Sequence, residues 1–181
     1  MHKPTLIIIG GFAGAGKTTV VTKLANKYKY AVFSSDSIND VLRATLQKPF
    51  KEISPTAYAV MWHLVKQQLQ LGVTIIVDTH MAAAHTWEAV DKLKEIIPNI
   101  IFVPIILEAT IETHRARIDG RGLANTMHLN LGGDKLEDVL FKYEFIENLN
   151  RPDLIRVDAN GTPTDVYSAV EKAIKENLQL D

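Results

Sequence analysis

Five short apolar runs and seven longer amphipathic stretches alternate along the chain, and their order predicts an α/β fold. The runs at 5–10, 30–34, 73–77, 100–107 and 154–157 are rich in Ile, Val and Leu. Most are apolar at consecutive positions, as strands buried on both faces of a parallel sheet are. Between and after them, residues 17–28, 37–46, 56–71, 86–97, 111–120, 134–148 and 163–178 repeat apolar side chains at helical spacing. The third of these stretches is the clearest. Tyr58, Met61, Trp62, Val65 and Leu69 mark one face, Lys66, Gln67 and Gln70 lie elsewhere, and Pro55 and Gly72 punctuate the ends. Strands joined by crossover helices predict a three-layer, doubly wound domain on a five-stranded parallel sheet. Ligands are expected at the carboxyl ends of its strands.

Composition narrows the class further. The chain has 181 residues, 46% of them hydrophobic, and its seven prolines are scattered singly, which suits one domain spanning 1–181 without a linker. The absence of cysteine excludes a disulfide framework and a thiolate metal site. No apolar segment has membrane-spanning length, and the run at 6–9 is too short for a signal-peptide core, so a cytoplasmic protein without a membrane partner is the expectation. A formal net charge of −1 gives no reason to expect long nucleic acids as partners. Oligomeric state has no signature here.

The first apolar run leads straight into Gly11-Phe-Ala-Gly-Ala-Gly-Lys-Thr18, which satisfies every fixed position of GxxxxGKT. In such a P-loop the glycines let backbone N–H groups turn toward phosphate oxygens, and the amino end of the next helix adds a positive dipole. The expected cradle is Gly11, Ala13, Gly14, Ala15, Gly16, Lys17, Thr18 and Thr19, with ATP and Mg²⁺ as cofactors. Lys17 should reach the β and γ phosphates, and Thr18 should offer its hydroxyl to Mg²⁺. A dinucleotide-binding reading fails because GxGxxG begun at Gly14 and Gly16 would need glycine at Thr19. A GTP switch is disfavoured because Asn26-Lys-Tyr-Lys29 lacks the acid that reads guanine.

Three further elements carry candidate chemistry. After the second strand, Asp36 is the candidate base for a substrate hydroxyl or an acid in the Mg²⁺ shell. The bland alternative is that Ser35 or Asp36 only caps the next helix. After the third strand, Asp78 is a candidate for the metal's water shell or the substrate, although aspartate also ends strands as a turn former. His80 follows it, either as a substrate contact or in solvent, while His85 belongs to a helix start; no histidine cluster suggests zinc. After the fourth strand come Arg115, Arg117 and Arg121, then a polar, glycine-containing stretch at 123–133. Arg117 and Arg121 share a helical face and could act as catalytic arginines of a lid over about 115–135. A solvated basic face paired with Glu112 or Asp119 is the alternative.

With these elements in order, the chain resembles the P-loop kinases of small molecules and nucleotides over nearly its whole length. The segment from Ser35 to Arg43 is similar to the Asp-bearing segment of the group that includes chloramphenicol phosphotransferase, zeta toxins and 2-phosphoglycerate kinase. The arginines around Arg117 and Arg121 resemble the lid of that group and of adenylate kinases, and Ile75 to His80 resembles archaeal-type adenylate kinases. The resemblance implies a P-loop NTPase fold of the nucleoside monophosphate kinase-like type. It also implies ATP- and Mg²⁺-dependent phosphoryl transfer to a small-molecule hydroxyl, with Asp36 as base. A nucleoside monophosphate kinase and a nucleotide-binding ATPase switch are the alternatives. The chain departs from the usual monophosphate kinases in having no Gly-Phe-Pro-Arg after Asp78 and no arginine from Gly122 to Asn150. Arg43, whose fork suits carboxylate and phosphate, and His63 and His80 are the expected acceptor contacts, with core packing expected of Trp62. By analogy, the turn from Asp158 to Pro163 is where adenine would rest.

Overall fold

A computed structural model of the chain describes residues 3–81, 84–120 and 150–179. Its strands are β1 (Thr5–Gly11), β2 (Ala31–Ser34), β3 (Thr74–Asp78), β4 (Ile101–Glu108) and β5 (Ile155–Asp158). Its described helices are α1 (Lys17–Tyr28), α2 (Ser35–Leu46), α3 (Phe50–Gln70), α4 (Ala84–Ile96), α5 (Ile111–Asp119) and α6 (Pro163–Leu178). The strands form one all-parallel sheet in the order β2-β3-β1-β4-β5. The expected helix at 134–148, Arg121 and most of the expected lid lie outside the described residues.

Alternation along β1 explains its unbroken apolar run. Leu6 and Ile8 pack with Met61, Val65 and Leu69 of α3 and with Trp87, Val90 and Leu93 of α4 on one face. Ile7 and Ile9 pack with Val20, Val21 and Leu24 of α1 and with Val166, Val170 and Ile174 of α6 on the other. Both faces are covered, so no position of β1 is left for a polar residue facing solvent. On the second face, α1 and α6 are also joined by polar contacts. The Glu171 carboxylate accepts from Tyr28 (2.7 Å), Tyr167 (2.6 Å) and Lys27 (2.6 Å), and the Lys27 bond foremost holds its pKa down at about 2. Among the described residues, no helix is long and apolar enough to cross a membrane.

Two helix starts differ from the expected ones, and each has a local cause. α2 begins at Ser35 rather than at 37, because the Ser34 hydroxyl accepts from the Ser37 N–H (3.4 Å) and caps the helix two residues early. α3 begins at Phe50 rather than at 56, which places Pro55 inside the helix instead of at its entrance. Proline is tolerated there because the bond it forfeits belongs to the Lys51 carbonyl, in the exposed first turn.

The register sets up the site. Asp78 lies level with Ser34 of β2 on one side and Ile9 of β1 on the other. The carboxyl ends of three strands therefore arrive together, with the loop after Gly11 directly beside them.

Candidate active site

The loop between β1 and α1 has the conformation its residues predict. Gly14 (φ 83°) and Gly16 (φ 97°) occupy the left-handed region, where a side chain would be strained. Gly16 is also the N-cap of α1 and has no side chain to occupy the helix's free N–H groups, and the first turn carries no acid. Those groups and the helix dipole are left for an anion. The Lys17 ammonium donates to the Phe12 carbonyl (3.2 Å), which holds it across the loop.

Beside the loop, the Thr18 hydroxyl donates to Asp78 Oδ2 (3.5 Å). Burial raises the Asp78 pKa, the Lys17 charge opposes that rise, the Asp36 charge adds to it, and the Thr18 bond opposes it. His80 feels the same two charges, and burial foremost pushes its pKa down to about 4, so it is a neutral imidazole at pH 7. Lys17, Thr18, Asp36, Asp78 and His80 thus share one electrostatic neighbourhood. Asp36 itself is exposed in the first turn of α2, and Ser34 rather than Ser35 or Asp36 makes the cap. Buried Ser35 and Thr79, the residues next to the two acids, share a hydrogen bond of 3.2 Å that ties the loops together. The Asn39 amide donates to the Ser35 carbonyl (3.0 Å) and braces the same turn. Sequence reasoning passed over this brace, since nothing local distinguishes Ser35 and Thr79 from ordinary loop residues.

On the opposite side of the loop, α5 and the β5–α6 turn are bolted to it. The His114 imidazole, lowered in pKa by burial, donates from Nδ1 to the Ala13 carbonyl (2.8 Å) and meets the Phe12 ring edge-on. The Arg117 guanidinium donates to the Gly14 (3.3 Å) and Ala15 (3.4 Å) carbonyls and to the Gly161 carbonyl (3.0 Å). It also helps line a cavity of about 350 Å³ with Gly16, Thr19, Val20, Gly120 and Pro163. The expectation of Arg117 as a lid arginine beside the transferred phosphoryl group therefore meets a different placement. Its side chain runs back along the loop toward the β5–α6 turn, held by three carbonyls that only the tertiary fold brings together. Asn160 accepts from the Thr110 N–H (2.9 Å) and the Thr113 hydroxyl (2.9 Å), joining that turn to the start of α5.

The side of the site away from α5 is built from α2, α3 and α4. Arg43 lies seven residues after Asp36, nearly two turns along the same face of α2, and is half-buried. Tyr58 and Trp62, four residues apart, line a second cavity of about 340 Å³ with Ser54, Pro55, Ala59 and His85. His63 is exposed and is not part of this lining, because one further residue turns it some 100° away around the helix. Trp62 packs on the core as expected and also lines the cavity. Among the described residues, no three His, Cys, Asp or Glu side chains form a metal cluster.

The fold and the loop define a nucleotide-binding domain of the P-loop class. The chain belongs to the AAA_33 family, described as an AAA domain, which it matches over residues 6–146. No curated protein sequence matches it. A solved structure of a candidate kinase from Chloroflexus aurantiacus J-10-fl superposes with a TM-score of 0.73 at 22% identity, covering 94% of this chain and 98% of that one. A gluconokinase from Sinorhizobium meliloti 1021 superposes at 0.64 and 14% identity, covering 99% and 96%. A shikimate kinase from Aquifex aeolicus VF5 does so at 0.56 and 16%, covering 96% and 98%. These likenesses establish the fold.

Proposed function

We propose that the protein is an ATP- and Mg²⁺-dependent kinase that moves the γ-phosphoryl group of ATP to a hydroxyl of a small-molecule acceptor. The observation that carries this reading is the meeting of Lys17, Thr18, Asp36, Asp78 and His80 where β1, β2 and β3 end. Phosphoryl transfer asks a protein mainly to position its reactants and to stabilise charge, with one acid to receive a hydroxyl proton. The loop and Lys17 supply the first, and Asp36 is free of the capping role that would otherwise explain it.

The donor set fits Mg²⁺. A hydroxyl and a carboxylate face one another at 3.5 Å, both hard oxygens, and the carboxylate sits where burial disfavours its ionised form. Thr18 and Asp78 would hold the ion, which supplies charge neutralisation across the phosphates when bound. Lys17 would leave the Phe12 carbonyl for the γ phosphate, and His80, neutral, would hydrogen-bond the acceptor or a phosphate oxygen without adding charge. Arg117 would sit at the base side, its flat guanidinium against adenine in the cavity beside Pro163, a role that its three carbonyl anchors support. The kinase names of structures with the same fold agree with this reading.

The test is ATP consumption with Mg²⁺ across nucleoside monophosphates, nucleosides, sugars, phosphoglycerate and hydroxyl-bearing ring compounds, with Lys17→Ala as the blank. Turnover stimulated by a hydroxyl compound and abolished in the blank is expected. Turnover with nucleoside monophosphates alone, or ATP hydrolysis that no acceptor stimulates, overturns the hydroxyl-transfer reading.

A further inference from the structure

His114 is a buried titratable group that the proposed chemistry leaves unused. It stands one turn after the Thr110 N-cap of α5 and is 2% exposed. The phosphate loop lies directly against the helix there: a Cβ built on Gly14 would come within 3.1 Å of the His114 carbonyl oxygen and 3.3 Å of Ile118 Cγ1. The imidazole meets the Phe12 ring edge-on with centroids 5.5 Å apart, and its Nδ1 donates to the Ala13 carbonyl at 2.8 Å.

A hydrogen bond to that oxygen fixes more than the oxygen. The Ala13–Gly14 peptide is planar and trans, so its C=O and N–H point in opposite directions. With the Ala13 oxygen turned toward α5, the Gly14 N–H is turned away from it. The following planes are set in the same manner. The Ala15 N–H donates to the Phe12 carbonyl (3.1 Å), and the Gly14 and Ala15 carbonyls accept from Arg117 (3.3 and 3.4 Å). The Gly14 and Gly16 N–H groups have no acceptor among the described residues, and each belongs to a peptide whose carbonyl is held from α5, Ala13 by His114 and Ala15 by Arg117. Such outward-held carbonyls leave the N–H groups free for an anion.

Histidine suits this position because its donor is uncharged. Burial foremost pushes the His114 pKa below its ordinary value, the Ala13 carbonyl opposes that, and the Arg117 and Lys17 charges add to it. A neutral N–H fixes the carbonyl without placing a further cation beside the loop to draw the phosphates away from Lys17.

Resting on the nucleotide-binding part of the reading above, and on nothing about the acceptor, we propose that His114 is a positioning residue: by holding the Ala13 carbonyl it aims the Gly14 N–H at the polyphosphate, as Arg117 does for the Gly16 N–H through the Ala15 carbonyl.

Both peptide planes can be watched at once. Gly14 and Gly16 are the two glycines of the chain preceded by alanine, so labelling with ¹⁵N-glycine and carbonyl-¹³C-alanine isolates their amide signals by NMR. MgADP is expected to move both amide protons downfield in the unmodified protein. His114→Phe keeps a ring against Phe12 but has no donor, so the Gly14 displacement should fall by about half or more while that of Gly16 stays, and the Kd for MgADP should rise about tenfold. His114→Asn, whose Nδ2 stands where Nδ1 stood, should restore both. An undiminished Gly14 displacement in His114→Phe overturns the proposal. So does an equal loss at Gly14 and Gly16, or a failure of His114→Asn to restore the Gly14 signal, either of which marks a general loosening of α5. Should His114→Phe fail to fold, the ring nitrogens of the unmodified protein, assigned through His114→Asn, decide the matter: Nδ1 is expected to carry the proton at pH 7, and a proton on Nε2 alone overturns the proposal. The two readings fail separately. If neither amide responds to MgADP at millimolar concentration, the nucleotide reading falls and this inference with it, whereas ATP consumption that no hydroxyl compound stimulates defeats the kinase reading alone.

Discussion

The two sides of the P-loop are built in opposite ways. On the α5 side, His114 and Arg117 donate to four backbone carbonyls from two distant loops, and Asn160 closes the ring with two further bonds. On the α3 side, the cavity walls are rings and small groups, and an indole N–H is left without an acceptor. Satisfied polar networks hold one arrangement, whereas an unsatisfied buried donor favours any partner that arrives. In the proposed reading, the nucleotide half is therefore held in one arrangement by its own bonds, whereas the acceptor half keeps an unpaired indole N–H.

The sharpest way to break this contrast is at the junction of the two halves. Asp36→Asn should lower kcat by roughly 10² to 10⁴, the range attributed to general-base catalysis, while ATP affinity by calorimetry is unchanged. Near-normal turnover would leave Asp36 without a base role and make the acceptor half a binding surface only.

A smaller effect is expected on the nucleotide side. Arg117→Ala removes hydrogen bonds to three carbonyls and, in the proposed role, one face of the base site. Charged hydrogen bonds are worth about 1.5–3 kcal/mol, so the Kd for ATP should rise by about tenfold or somewhat more with kcat little changed. If kcat instead falls by about 10³ at constant Kd, the guanidinium moves to the phosphoryl group during turnover, as a lid arginine would.

The pH dependence of stability probes His80, between the halves. Its pKa drops from the ordinary 6.5 to about 4, through burial first and the Lys17 charge second, against Asp36. Below 6.5 the unfolded chain binds a proton that the folded site refuses, so the unfolded state carries more protons and stability falls as pH falls from about 6.5 to about 4. Above 6.5 this contribution is fully present. His85 and His114 are shifted in the same direction, so the diagnostic is a difference between two proteins. His80→Gln should flatten the fall of Tm between pH 7 and pH 5 relative to the unmodified chain. Parallel curves would mean that His80 is solvated and takes up its proton freely.

The same contrast explains what could be seen in the chain beforehand. Backbone demands are local, so Gly14, Gly16, Lys17 and Thr18 announced the phosphate loop from their spacing alone, and the buried strands announced the sheet through unbroken runs such as Leu6 to Ile9. All five strands and six of the seven expected helices are present, with α2 and α3 starting earlier than expected, and the expected helix at 134–148 falls outside the described residues. What was not legible depends on distant partners. The anchoring of Arg117 needs Gly161, 44 residues away. The Ser35–Thr79 brace spans 44 as well. The sequence assigns the pocket to His63 and the core to Trp62, and only the position of α4, which brings His85 opposite Tyr58, puts Trp62 on a cavity wall as well. Pro55 misled because proline marks a helix entrance more often than a second turn.

The smallest predicted effect tests whether the prebuilt half owes its shape to its own turn. Thr162 caps α6 by accepting from the Asp165 N–H (3.2 Å), and Asp165 returns bonds to the Thr162 N–H (3.1 Å) and hydroxyl (2.6 Å). This box directly follows Gly161, whose carbonyl anchors Arg117. Thr162→Ala should cost about 1 kcal/mol, a Tm drop of about 2–4 °C for a domain of this size. If the turn depends on its cap, the variant should also share, weakly, the loss of ATP affinity seen in Arg117→Ala, and the double variant should fall short of the sum of the two. Strict additivity would show instead that Asn160 and the end of β5 hold the Gly161 carbonyl in place unaided, so that the rigidity of the nucleotide half begins in the sheet rather than in the helix that follows it.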